Sequence, residues 1–125
     1  MRKDIYFLDF HDIITIAEEI LPEVLIRDIG LIKSAAERPL TSVFGEDAYK
    51  SFDEKVAALL HSLVRNHPFV DGNKRVSWSA ARAFCLMNDR DINLDVDAAE
   101  ELIQRAAQGL IEISEIAKSL NIKKI

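Results

Sequence analysis

SFDEKVAALLHSLVRNHPFVDGNKRVSWSAARAFCLM, running from Ser51 to Met87, holds two helical patterns and the polar joint between them. It opens on Ser51-Phe52-Asp53-Glu54, the S-x-x-E arrangement in which serine and glutamate satisfy each other's orphan backbone N–H groups at a helix start. Val56, Leu59, Leu60, Leu63 and Val64 then recur at i, i+3, i+4, i+7 and i+8, which leaves Lys55, Ser62 and Arg65 for other faces. Asn66 ends this helix. Val76, Ala80, Ala83, Phe84 and Met87 repeat the helical spacing, so Asn73 or Lys74 opens a second helix that runs to about Met87. Two adjacent helices joined by so short a connection pack as an antiparallel hairpin, and burying each large apolar side chain stabilises by roughly 1.5 to 3 kcal/mol. The pair is expected to be the core of an all-α fold.

Upstream, Tyr6-Phe7-Leu8 reads as one turn of strand or a packed N-terminal arm, and Asp9 as the N-cap of a helix from Phe10 to Leu21 stopped by Pro22. Asp28 caps a helix over 29 to 37, with Ile29, Ile32, Ala35 and Ala36 on its apolar face, ended by Arg38-Pro39. From Pro39 to Lys50 no period holds. Such a segment is longer than most connections and suggests a functional loop with hairpin character, its exposed candidates being Phe44 and Tyr49. Downstream, Asp91 to Val96 alternates as a short extended piece. Asp97 and Glu100 then start a helix that ends at Gly109, Ser114 caps a last helix through Leu120, and the Lys123-Lys124 end is expected to fray. The reading is one domain over residues 1-125, a bundle of about six helices around a central antiparallel pair.

The 125 residues are enough to bury roughly two thirds of the unfolded chain's surface. No apolar run approaches the roughly 20 residues of a membrane span, and Met1-Arg2-Lys3-Asp4 followed by an apolar run broken at Asp9 does not read as a signal peptide. A cytoplasmic protein with no membrane contact is expected. The net charge of −5 argues against a general grip on nucleic acid, so any phosphate is held locally. Cys85 is the single cysteine and falls in an apolar pattern, which reads as a buried, inert thiol.

The joint His67-Pro68-Phe69-Val70-Asp71-Gly72-Asn73-Lys74-Arg75 carries more chemistry than a turn needs. A glycine just before a helix start lets consecutive N–H groups converge, and the helix N-terminus adds roughly half a positive charge. Lys74 and Arg75 oppose that dipole, so their presence in the first turn suggests an anionic guest, with phosphate the natural candidate. Asp71 is placed to hold a divalent cation that bridges phosphate oxygens. His67 can take a proton from a hydroxyl nucleophile. A histidine at a helix end is by itself more often a capping partner, and Asp-Gly-Asn more often a plain turn; it is their combination that describes a transferase site. Phe69 reads as an apolar anchor and Pro68 as a stiffener. His11 and His61 read as ordinary, since no zinc-ligand spacing is present.

H-P-F-V-D-G-N-K-R resembles the signature of the Fic/Doc superfamily, H-x-F-x-[DE]-[GA]-N-[KG]-R, with every polar position filled. Asp28 to Ala35, Arg38-Pro39, Phe44-Gly45, Tyr49 and Glu54 to His61 are similar to its death-on-curing (Doc) branch, so that the likeness spans roughly residues 5 to 115. The resemblance implies an ATP-using transferase that modifies a protein hydroxyl. His67 would be the general base, Asp71 would hold Mg2+, Gly72 and Asn73 would form the anion hole, and Lys74 and Arg75 would bind phosphates. Fic adenylyltransferases have a second glycine where this chain has Lys74, and a second arginine where it has Trp78. Both departures imply Doc-type transfer of the γ-phosphate, with a threonine of elongation factor Tu as the target and arrest of translation as the result. Gly72, where the phage Doc sequence has alanine, is shared with Fic and leaves AMP transfer as the alternative. A non-catalytic module that acts by occupying a partner is the third reading. The Pro39 to Lys50 loop resembles the family's target-docking flap, with Phe44 either presented to the target or packed in the core. The resemblance also implies silencing in trans by an antitoxin. Thr15 to Glu19 and Ser42 to Glu46 match the family's inhibitory motif only in its first five positions.

Overall fold

The computed structural model describes residues 4–125; Met1-Arg2-Lys3, on which the signal-peptide reading partly rests, lies outside them. Six α-helices form the body: α1 (Phe10–Ile20), α2 (Ile29–Glu37), α3 (Phe52–Asn66), α4 (Asn73–Leu86), α5 (Val96–Ala107) and α6 (Ile113–Ser119). Two small antiparallel sheets accompany them, β1 (Ser42–Val43) with β2 (Glu46–Asp47) and β3 (Arg90–Ile92) with β4 (Ile122–Lys124). Among the described residues no helix is long and apolar enough to cross a membrane.

α3 is the axis of the core. Its capping box forms as the sequence implies, Glu54 N–H donating to Ser51 Oγ and Ser51 N–H to Glu54 Oε1. Val56, Leu60, Leu63 and Val64 have no exposed surface and Leu59 almost none. Helices α2, α4, α5 and α6 surround it, so over its first three turns only Asp53, Glu54 and His61 keep partial exposure. Lys55 and Ser62, which the apolar stripe leaves for other faces, are buried as well. Each is buried with partners, because an unpaired buried charge or hydroxyl costs several kcal/mol, on the order of the loss of a whole interaction. Lys55 Nζ reaches Asp47 Oδ2 at 3.1 Å and the Tyr49 carbonyl; Ser62 Oγ accepts from Arg38 at 2.9 Å.

At the front, Tyr6 to Leu8 is an arm rather than a strand. Phe7 packs on Phe84 with ring centroids 5.6 Å apart, Leu8 is buried, and Asn88 clasps the Tyr6 backbone through both N–H and C=O. Asp9 caps α1 reciprocally with Asp12. Asp28 caps α2, whose buried face is Ile32, Ala35 and Ala36; Ile29, expected on that face, is half exposed. Arg38–Leu40 continues as a single 3-10 turn. β1 and β2 form a hairpin whose two turn residues, Phe44 and Gly45, both have positive φ, 52° and 80°. Two-residue turns of this kind match the right-handed twist of the strands.

The C-terminal third departs from the expectation at three points. α5 is capped by Asp95, whose carboxylate accepts from Ala98 N–H, so the helix starts earlier than the Asp97 expectation. α6 follows Glu112 with no side-chain cap, and Ser114 lies inside it. Lys123 and Lys124 do not fray as expected: their backbone is β4, in register with Asp91 and Arg90. A lysine pair reads as a solvated end in the sequence, and only the arrival of β3 beside it supplies ladder partners. Cys85 is buried in the last turn of α4, and burial pushes its thiol up to about 12, which leaves it protonated and inert.

Candidate active site

The nine-residue joint bridges the C-terminus of α3 and the N-terminus of α4. His67 is the C-cap of α3, in the left-handed region at φ 49° and ψ 60°, and its side chain is exposed. Phe69 plunges into the core, where it is 1% exposed, and thereby pins the loop. Asn73, itself buried, closes the loop from within: Phe69 N–H donates to Asn73 Oδ1 at 3.0 Å and Asn73 Nδ2 donates to the Phe69 carbonyl at 2.8 Å. Its amide side chain is therefore committed to the backbone of the loop, and what it offers a ligand is its own N–H.

Gly72 is the N-cap of α4 at φ 85°, a conformation open to glycine and strained for other residues. A Cβ there would lie 2.5 Å from Leu21 Cδ2, so α1 packs directly onto the turn. No side chain caps α4. The N–H groups of its first turn have no intrahelical acceptor and carry the positive end of the dipole, an arrangement of the kind that can receive an anion. Asp71 is exposed beside it and spends Oδ1 on the Gly72 N–H at 2.8 Å.

Lys74 and Arg75, both exposed, leave this first turn toward a groove of about 830 Å³ between α4 and α5. Trp78 and Ile103 give it apolar walls, and Asp97, Glu100 and Gln104 line it from α5. Lys74 Nζ is fixed there by a hydrogen bond to Gln104 Oε1. Gln104 was not legible as a site residue, because it lies 30 positions away on a helix whose apolar pattern it does not join.

Among the described residues no three His, Cys, Asp or Glu side chains gather as a metal cage. A single exposed carboxylate next to an uncapped helix N-terminus suits Mg2+ that arrives with a nucleotide, since that ion is usually held by one or two carboxylates plus substrate phosphates.

The hairpin that carries Phe44 is fastened to α3 by a second polar group. Arg38 Nε donates to Tyr49 Oη, and its Nη1 lies 2.9 Å from both His61 Nδ1 and Ser62 Oγ. With Arg38 a permanent donor, His61 accepts through Nδ1 and is neutral. Burial first, then the charges of Arg38 and Arg65, hold its imidazole below the usual value, with Glu112 opposing. The unfolded chain therefore binds this proton more readily than the folded one. The associated stability is complete above about pH 6.5 and is lost as the pH falls toward the folded value. The melting temperature is expected to drop between pH 7.5 and 5.5, and to drop less in His61→Gln; equal slopes in scanning calorimetry would refute this.

Phe44, at the tip, is wholly exposed. Of the two placements that the sequence left open, packing in the core is excluded. An aromatic side chain in the left-handed region with no packing partner gains nothing locally, which points to a use outside the chain. Ser42 to Glu46, one of the two partial inhibitory motifs, is this hairpin and not a helix.

Comparison with known proteins adds two findings. Residues 6–85 match the model of the Fic/DOC family. Toxin Doc of Mycolicibacterium smegmatis (strain ATCC 700084 / mc(2)155) is 41% identical over 117 residues, covering 91% of this chain and 90% of that protein.

Proposed function

The chain belongs to the Fic/DOC family, and from that premise we propose that it is the toxin of a toxin–antitoxin pair, an ATP-dependent transferase that phosphorylates a protein hydroxyl. The observation that carries this reading is the joint itself. An exposed histidine at the end of α3 is separated by five residues from an uncapped helix N-terminus with two cations in its first turn.

In the proposed reaction, the first-turn N–H groups of α4 and the Lys74 and Arg75 side chains hold the phosphates of ATP. His67 accepts the proton of a serine, threonine or tyrosine hydroxyl as its oxygen bonds to the γ-phosphorus; the bond from that phosphorus to the bridging oxygen breaks and ADP leaves. Asp71 would hold Mg2+ against the nucleotide, where the ion neutralises phosphate charge. The side chain of Asn73 keeps the loop closed, and Phe44 at the hairpin tip meets the target protein.

Transfer of AMP from the same residues is the competing reaction. Gly72 does not favour it, because the positive φ and the contact with Leu21 call for glycine whichever phosphate is transferred. Lys74 and Trp78 on the groove side favour γ-transfer. A translation extract incubated with the protein and either γ-labelled or α-labelled ATP decides the matter: label in a target protein from the γ position is expected, and label from the α position alone would leave adenylyl transfer. Elongation factor Tu is the target to examine first. Control by a separate antitoxin, through a tail that folds on docking, completes the proposal.

Phe44→Asn separates docking from folding. Asparagine tolerates the left-handed region, so the variant is expected to be as stable as the parent or more so, by up to about 1 kcal/mol. Its KM for the target protein should rise by roughly tenfold, the size of losing an aromatic anchor, while its KM for ATP is unchanged. An unaltered target KM would remove Phe44 from the docking surface.

A further inference from the structure

Arg27 reaches the His67 loop from outside the α3–α4 pair. Its Nε donates to the His67 carbonyl at 2.7 Å and its Nη2 to the Asn66 carbonyl at 2.6 Å. The backbone around it joins the same loop: Arg27 N–H and Asp28 N–H both donate to the Pro68 carbonyl, at 2.8 and 3.0 Å, and Val70 N–H donates to the Leu25 carbonyl at 2.9 Å. Ile26 pairs with Phe69 as an isolated antiparallel bridge. Three successive carbonyls, those of Asn66, His67 and Pro68, thus find their partners on residues 27 and 28.

The last carbonyls of a helix have no intrahelical partner and carry the negative end of its dipole, so a cation there is favourable. A guanidinium adds geometry to charge, since its planar fork grips two acceptors at once where an ammonium offers a point. Here the two acceptors flank the α-carbon of His67, whose left-handed backbone is disfavoured for a residue with a Cβ. The fork grips both carbonyls in this conformation, so it favours the left-handed turn over one more residue of helix. The turn in turn decides where the imidazole points.

We propose that Arg27 is the positioning residue of the active loop, holding His67 in its left-handed conformation so that the imidazole faces the reacting hydroxyl. This rests on the reading of His67 as general base. The ladder of residues 25 to 28 is the frame, and the Arg27 fork is the clamp that acts on His67 itself.

Arg27→Gln and Arg27→Lys in the full chain test this, with turnover, thermal unfolding and the backbone chemical shifts of His67 measured on the same samples. Arg27→Gln is expected to lower kcat roughly 10- to 100-fold, the scale of a misplacement near 1 Å, with the KM for ATP within about twofold of the parent. The His67 shifts should move away from left-handed values while the remaining signals and the cooperative unfolding are kept. Arg27→Lys, which retains the charge and loses the fork, should fall between the two. A kcat within about twofold of the parent in Arg27→Gln, or His67 shifts that do not move, overturns the proposal. The shifts need no turnover. If His67→Asn proves fully active, the base assignment fails, while the shifts still decide whether Arg27 sets the loop.

Discussion

Replacing His67 with asparagine is expected to lower transfer to the target protein by about 10²- to 10⁴-fold, the usual contribution of a positioned general base. Asparagine is chosen because it tolerates the left-handed backbone observed at this position, so that the fold is left intact and the loss is chemical. Thermal unfolding should shift little. The same variant separates enzyme from binding module. If expression of the His67→Asn protein arrests growth as strongly as the parent, catalysis is not how the protein acts and a non-catalytic, partner-occupying role takes its place.

Asn73→Ala is expected to be the most damaging single change in the joint, through stability as well as chemistry. The asparagine amide satisfies both the N–H and the C=O of Phe69 inside the protein. Truncation leaves two buried backbone groups unpaired, at about 1 to 3 kcal/mol each, so a loss of roughly 2 to 5 kcal/mol is expected. For a domain of this length that is a fall of about 10 °C or more in Tm. Asn73→Asp should not rescue it, since a carboxylate can accept from the Phe69 N–H but only repels the Phe69 carbonyl. Calorimetry and urea titration measure this directly, and a Tm within about 2 °C of the parent would show that water or a shifted loop replaces the amide.

How much of this could be read from the chain depends on the range of the interaction. The α3 stripe, its Ser51–Glu54 box and the stop at Asn66 are local features, and the helix forms where they place it. Asp9 and Asp28 cap α1 and α2 for the same reason. At α5 the pairing of Asp97 with Glu100 pointed to Asp97 as the start, whereas the backbone took Asp95, two positions earlier, as the cap. The burial of Lys55 and Ser62 was not legible, because a periodic stripe says which face is apolar, not whether the opposite face is also covered. Here the β1–β2 hairpin and Arg38 cover it and bring the partners that burial demands.

In the site, the sequence by itself determined the inventory: a base candidate, a carboxylate, a glycine, an amide and two cations, ordered so that the glycine falls at a helix N-terminus. Spacing of this kind is set by covalent connectivity and helix capping, which need no distant residue. What only the tertiary structure decided is how these groups are spent. Asn73 turned out to close the loop with its side chain, Lys74 to lie along α5 on Gln104, and Phe44 to stand clear of the core. Arg27 carried no signal at all, since an arginine ahead of a capping aspartate is unremarkable in a sequence. Its meaning comes from the α3 C-terminus brought beside it across 40 residues of chain, where two orphan carbonyls and one guanidinium meet.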